Sequence, residues 1–469
     1  MTCIDKIEPA APHAAVAVSR NQLAAEFSET LKLAVPLALT QLGQIAMMST
    51  DLAFIGRLGS DAVAAAALAH TVFFVSFTFG MGLVSAVSPL AAQAFGARDP
   101  HLMRRALRVG LWAALFMALP LMALPFHGES ILLALGQGPA AAHLAQQYLF
   151  GLAWGILPAL WFIALRGFMS AVNRPEPVLW ITLAAIPANA LLVYLLLYGK
   201  WGMPEFGLFG AGLATTTVNL GMFLAGVWFA ARRRPFRKYY VFSRIWRIDW
   251  PLTGKLVAIG TPISLSFLLE YGMFGAAGLL MGLISTTALA AHQIALQIAA
   301  ILFMVPFGVG MAATVRVGHA VGRHDPDGLR RAGYVAVALS GTFMSIMTLA
   351  VILARFEIAT IFLGEATDTT AQLTAMLLLI GATFFIADGV QTTTAGALRG
   401  MNDTQLPLLF ATISYWLVGF ASAYALAFWT TLGAAGVWIG LSLGTAVYAT
   451  LLILRFRLLA HKLAKETSA

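Results

Sequence analysis

Glu270 and Asp388 are carboxylates stranded in apolar sequence, and that isolation is what first reads as chemistry in this chain. Glu270 sits within PLTGKLVAIGTPISLSFLLEYGMFGAAGLLMGLI (251–284) and Asp388 within AMLLLIGATFFIADGVQTTTAGALRG (375–400). An ionised group at the centre of a membrane helix costs about 2.5–3.5 kcal/mol on insertion scales, so an acid retained there usually faces a polar cavity. Three states are open to each: a carboxyl that binds and releases a proton, a carboxylate that holds Na⁺, or a neutral group hydrogen-bonded inside a helix bundle.

The elements that must carry these acids follow from composition. Hydrophobic residues make up 60% and charged residues 10% of the chain, against about 45–50% and about 25% in soluble domains. The expectation is an all-α membrane protein. With about 20 apolar residues per span, twelve transmembrane helices are predicted, near 30–56, 62–94, 104–126, 140–168, 176–199, 207–231, 251–284, 286–320, 328–355, 371–398, 405–430 and 434–456. If both termini are cytoplasmic, every Lys and Arg except Arg57, Lys200 and Arg355 falls on the cytoplasmic side, as the positive-inside rule requires. That distribution accounts for the net charge of +9 without nucleic acid, which is not an expected partner. The N-terminus lacks the basic-then-apolar-then-small layout of a cleavable signal peptide, so insertion is expected to use the first span. Cys3 is the single cysteine, which excludes an internal disulfide or a CxxC metal site, and the His residues show no HxxxH or HExxH spacing.

The chain repeats itself. An offset of 226 brings Pro36 onto Pro262, Gly56 onto Gly282 and Gly82 onto Gly308, and aligns GARDPHLMRRALRVG (96–110) with GRHDPDGLRRAGYVA (322–336). Further on the offset becomes 233, where ALRG recurs at 164–167 and 397–400. We therefore expect two pseudo-symmetric six-helix bundles, 1–231 and 251–469, related by an axis along the membrane normal. The connection at 232–250 mixes Arg and Lys with Tyr, Phe and Trp, as suits a segment lying on the headgroups. Gly436, Gly440 and Gly444 form a small-residue packing face on the last span. The acids do not repeat: Glu270 aligns with Gln44, Asp51 with Ala277 and Asp388 with Gly155. The second half is therefore expected to carry the main ion site.

Other polar residues have two readings each. Asp51, in AMMSTDLAFIGRLG (46–59), is either a site acid or an interfacial anchor near Arg57. Asn189, in AAIPANALLVY (184–194), either orients a cavity ion or ties helices together, and His292 and Gln293 are either cavity ligands or packing polars. Abundant Met and Phe fill core and lipid-facing positions, and their soft surfaces also suit a pocket for apolar cations.

TDLAFIGRLG (50–59), FLLEYG (267–272), LAAHQ (289–293) and ADGVQTTTAGALRG (387–400), within the twelve-span two-half layout, together resemble the multidrug and toxic compound extrusion (MATE) family, in its NorM-like branch. The likeness runs from about residue 28 to 458. It implies an antiporter of a bacterial inner membrane, multi-pass and with no cofactor. Such an antiporter exports small cationic amphipathic drug-like compounds in exchange for inward H⁺ or Na⁺. It also implies that Glu270 and Asp388 form the coupling site, that Asp51 matches the family's first-helix acid and that Asn189 matches its fifth-helix asparagine. Gln293, Phe384 and Gln391 complete the expected cavity, in a protein expected to act as a monomer. Two departures stand out. Phe384 replaces a tyrosine frequent in the NorM-like pattern, removing one oxygen from a Na⁺ shell and favouring a proton. Val193 stands where the DinF-like branch has an aspartate, which argues against a coupling site confined to the first half.

Two rivals are disfavoured. A lipid-linked oligosaccharide flippase, which handles an anionic headgroup, should need several intramembrane Arg or Lys, and none stands at a span centre. An intramembrane enzyme should show a nucleophile–base pair or a GxGD-type or HExxH signature, and no such motif is present.

Overall fold

Two Asp-Pro steps start corresponding helices in the two halves. In the computed structural model, which describes residues 20–363 and 369–468, the Asp99 carboxylate accepts from the backbone N–H of His101 and Leu102 at 2.9 and 3.0 Å. Asp325, its equivalent at the 226 offset, accepts from Gly328 N–H at 2.8 Å. Pro100 and Pro326 occupy the first turn, where a missing N–H is no loss. Cys3 and the rest of 1–19 lie outside the described residues.

Among the described residues eleven helices are long and apolar enough to cross a membrane, and twelve if one bent pair counts as a single span. They are α1 Gln22–Gly56, α2 Ser60–Gly96, α3 Pro100–Phe126, α4 Pro139–Ala153 with Ile156–Ala171, α5 Glu176–Tyr198 and α6 Gly207–Arg232. The second half supplies α7 Trp250–Ile284, α8 Thr286–Gly322, α9 Pro326–Leu353, α10 Thr369–Gly400, α11 Gln405–Phe428 and α12 Ala434–Glu466. The protein is thus an all-α membrane protein, and no strand occurs among the described residues.

Local irregularities have local causes. Pro36 in α1 and Pro262 in α7 leave their helices unbroken, and in each the hydroxyl four residues on donates to the proline carbonyl: Thr40 to Pro36 and Ser266 to Pro262, both at 2.8 Å. The α4 pair bends by 45°. Pro158 has no N–H to offer the carbonyl of Trp154, so the ladder fails at the Trp154–Gly155 step. In α11 the stretch Thr412–Phe420 widens into a π-helix, a form frequent at functional sites. Gly436, Gly440 and Gly444 bring α12 against the backbone of α11 at Leu426, Ala423 and Gly419.

The halves meet through reciprocal close approaches. A Cβ on Gly82 of α2 would lie 2.5 Å from Ser264 Cα of α7, and one on Gly308 of α8 would lie 2.5 Å from Ala38 N of α1. Gly82 and Gly308 are repeat partners, as are Ala38 and Ser264, so this is one contact made twice. The same holds at the basic-loop ends of α2 and α8: a Cβ on Gly96 would meet the His319 carbonyl at 2.3 Å, and one on Gly322 the Gln93 carbonyl at 2.0 Å. Gln93 and His319 are again repeat partners. Gln93 Nε2 donates to Gly400 O at 2.8 Å, and His319 Nε2 lies 2.8 Å from Ala171 O. The seam is therefore closed over the basic-loop half of the molecule.

Candidate functional site

The second half gathers its polar residues around Gln391. The Gln391 amide Nε2 donates to Glu270 Oε1 at 2.9 Å and to Asp388 Oδ1 at 3.0 Å, and the Tyr415 hydroxyl donates to the same Glu270 oxygen at 3.2 Å. Asp388 and Gln391 share one face of α10 as an i,i+3 pair. Glu270 comes from α7, and Tyr415 from the π-helical part of α11. Asp388 and Gln391 are buried, while Glu270 is half-buried. A cavity of about 10 Å³ touches Glu270, Phe267, Gln391, Arg399 and Tyr448. That volume suits one water, far below the roughly 300–1,000 Å³ of a drug-sized site. In this conformation the acid pair lies inside the second bundle, beside room for an ion or a water.

Arg399 belongs to this centre although it ends a span. Its guanidinium sits 4.7 Å from the Phe267 ring centroid. Its repeat partner Arg166, 233 positions earlier, is buried and donates through Nη1 to Gln41 Oε1 at 2.7 Å. Gln41 and Phe267 are themselves 226 apart, so the same helix crossing carries a hydrogen bond in one half and a cation–π contact in the other.

The first half builds a separate centre around Asp51. Asn189 Nδ2 of α5 donates to Asp51 Oδ1, and Thr215 Oγ1 of α6 donates to Asp51 Oδ2 at 2.9 Å. Asp51 is 3% exposed and Asn189 fully buried, so the acid points into its bundle and not toward Arg57. Tyr148, buried beside it, packs edge-on against His70 at 5.6 Å. Thr215→Val and Asn189→Leu should each lower stability by about 1 kcal/mol by leaving a buried carboxylate oxygen unpaired. Thermal unfolding in detergent would read this, and unchanged melting for both variants would mean that these bonds hold nothing.

Phe384, one turn before Asp388, is buried in an aromatic cluster with Phe274 and Trp438 at ring distances of 5.8 and 5.7 Å. His292 joins that cluster edge-on to Trp438 at 5.8 Å. Gln293 is exposed on α8 and, among the described residues, makes no hydrogen bond to either acid centre. Tyr415, Thr215 and Arg399 were missed as site residues. The first two are single hydroxyls in apolar helices, and the third looks like a boundary charge. The one available signal was that Gln391 and Arg399 lie eight residues apart on one helix face.

Two six-helix halves with a buried acid centre in each define a polytopic membrane transporter of duplicated architecture. The chain belongs to the MatE family, whose profile matches residues 36–195 and 262–425. Membership makes it a transporter and not an enzyme. It is 67% identical to a probable multidrug resistance protein NorM of Bradyrhizobium diazoefficiens, over 95% of this chain and 96% of that one. A probable multidrug resistance protein NorM of Rhodopseudomonas palustris is 58% identical over 95% and 93%. Among solved structures, a MATE protein in its bent conformation superposes with a TM-score of 0.86 at 20% identity, covering 95% of this chain and 98% of that chain.

Proposed function

We propose that the protein is a secondary-active exporter of the inner membrane that expels cationic amphipathic compounds in exchange for inward H⁺ or Na⁺, acting as a monomer with both termini and the basic loops in the cytoplasm. The observation that carries this reading is the single Gln391 amide holding Glu270 and Asp388 beside a water-sized cavity. Two ionised carboxylates so joined repel each other, and one H⁺ or Na⁺ taken up between them cancels that repulsion. Charge then links ion to cargo. Ion uptake from outside removes negative charge from the second half and releases a cationic substrate; ion loss to the cytoplasm restores the charge and recruits another. Coupling of about 1–3 kcal/mol between the sites is enough for this exchange.

Phe384 favours H⁺ over Na⁺, since a buried ring offers no oxygen to complete a metal shell. The test is substrate movement in proteoliposomes under an imposed pH gradient and, separately, an imposed Na⁺ gradient. Transport driven by pH alone is expected. Transport by neither gradient, or a steady current without substrate, would refute the antiporter reading.

A further inference from the structure

The linker between the halves is fastened to α3 along one helix face. Arg104 Nε donates to Tyr239 O at 3.0 Å, Arg108 Nη1 to Arg244 O at 3.2 Å, and Trp112 Nε1 to Ile245 O at 2.7 Å. Arg105 Nε donates to Asp249 Oδ2 at 2.5 Å. These contacts frame a cavity of about 510 Å³, whose wall includes Arg104, Arg105, Arg108, Arg244 and Arg247. Asp249 is the only carboxylate in that wall, and the Arg105 guanidinium holds its acid below the usual range, so it stays ionised and is already engaged. The charge of the remaining arginines is unbalanced within the pocket. Arg108 is 7% exposed, and its Nε has no hydrogen-bond partner among the described residues. A largely buried guanidinium with an unpaired donor, in a concave wall of like charge, favours an anion there.

Rings run from this pocket toward the apolar part of the helices. Trp112 stacks on Phe116 at 5.6 Å, and Phe116 on Trp250 at 6.4 Å. Phe116 and Trp250 are exposed, 38% and 66%. A soluble phosphate would use the arginines and leave the rings idle. An amphiphile would use both, and basic pockets between membrane helices take anionic headgroups.

We propose that this pocket binds the phosphate of an anionic phospholipid headgroup, with an acyl chain laid along Trp112, Phe116 and Trp250. The bound lipid fastens α3 to the only covalent joint between the two halves.

The test uses the full-length purified protein and native mass spectrometry with phosphatidylglycerol, phosphatidylcholine and inorganic phosphate. Wild type should retain phosphatidylglycerol over phosphatidylcholine, and Arg108→Gln with Arg247→Gln should weaken that retention by about tenfold or more. Arg247→Gln alone, at an exposed position, should act in the same direction if the pair does not fold. Arg233→Gln with Arg234→Gln, in a second basic cavity, should change it little. Equal retention of the two lipids, or no effect at Arg108 and Arg247, overturns the proposal. Displacement of the lipid by inorganic phosphate at equal concentration also overturns it, in favour of a soluble anion.

Discussion

Glu270→Gln should bring gradient-driven export down to the level of empty vesicles, on the order of 100-fold below wild type, with the protein still folded. The amide keeps a carbonyl oxygen where Gln391 and Tyr415 donate, so the local bonds survive and melting should shift by only a few degrees. What disappears is the capacity to gain and lose charge. Asp388→Asn should behave alike, because its oxygen can still accept from Gln391. Substrate binding provides the sharper readout: acid should release bound cationic substrate from wild type, whereas each variant, with one carboxylate permanently neutral, should bind it weakly at either pH. Wild-type-like drug resistance from both variants in a pump-deficient host would remove these acids from the mechanism.

The second large effect is expected at the seam. Gly82→Val and Gly308→Val each put carbon 2.5 Å from backbone of the opposite half. Overpacking of this kind costs about 1–3 kcal/mol, and here it falls on the closed arrangement alone. The balance should move toward separated halves by roughly 5–150-fold. Spin labels at positions 98 and 323, on a background lacking Cys3, would report this as a new longer distance. Gly82→Ala should give a graded version of the same shift. A wild-type distance distribution in all three variants would mean that these contacts do not govern closure.

The twelve helices and their two-fold duplication were readable from the chain because a bilayer permits few alternatives: length, apolarity and the placement of Arg and Lys leave little else. The same reasoning singled out Glu270 and Asp388, since a charge deep in apolar sequence is costly wherever its side chain turns, whereas Gln391 entered only through the family resemblance. Direction was the part that could not be read. Asp51 lies six residues from Arg57 in sequence, yet its orientation is set by Asn189 and Thr215 on helices more than a hundred residues away. Tyr415 reaches Glu270 from a widened stretch of α11, a local change of pitch with no composition signal. Arg399 is a boundary charge by position and a cavity wall by packing. Gln293 is exposed on α8 and Phe384 packs against Phe274 and Trp438, surroundings that their places beside the motifs do not specify.

The break in α4 has a consequence for how one helix plan was put to two uses. Gly155, at the break, aligns with Asp388, and Pro158 aligns with Gln391, so GILP in one copy faces DGVQ in the other. One copy gave up straightness there and bends by 45°; the other runs on as an unbroken helix and carries Asp388 with Gln391. Duplication thus let a single ancestral segment furnish a bend in one copy and an acid site in the other, without either compromising its twin.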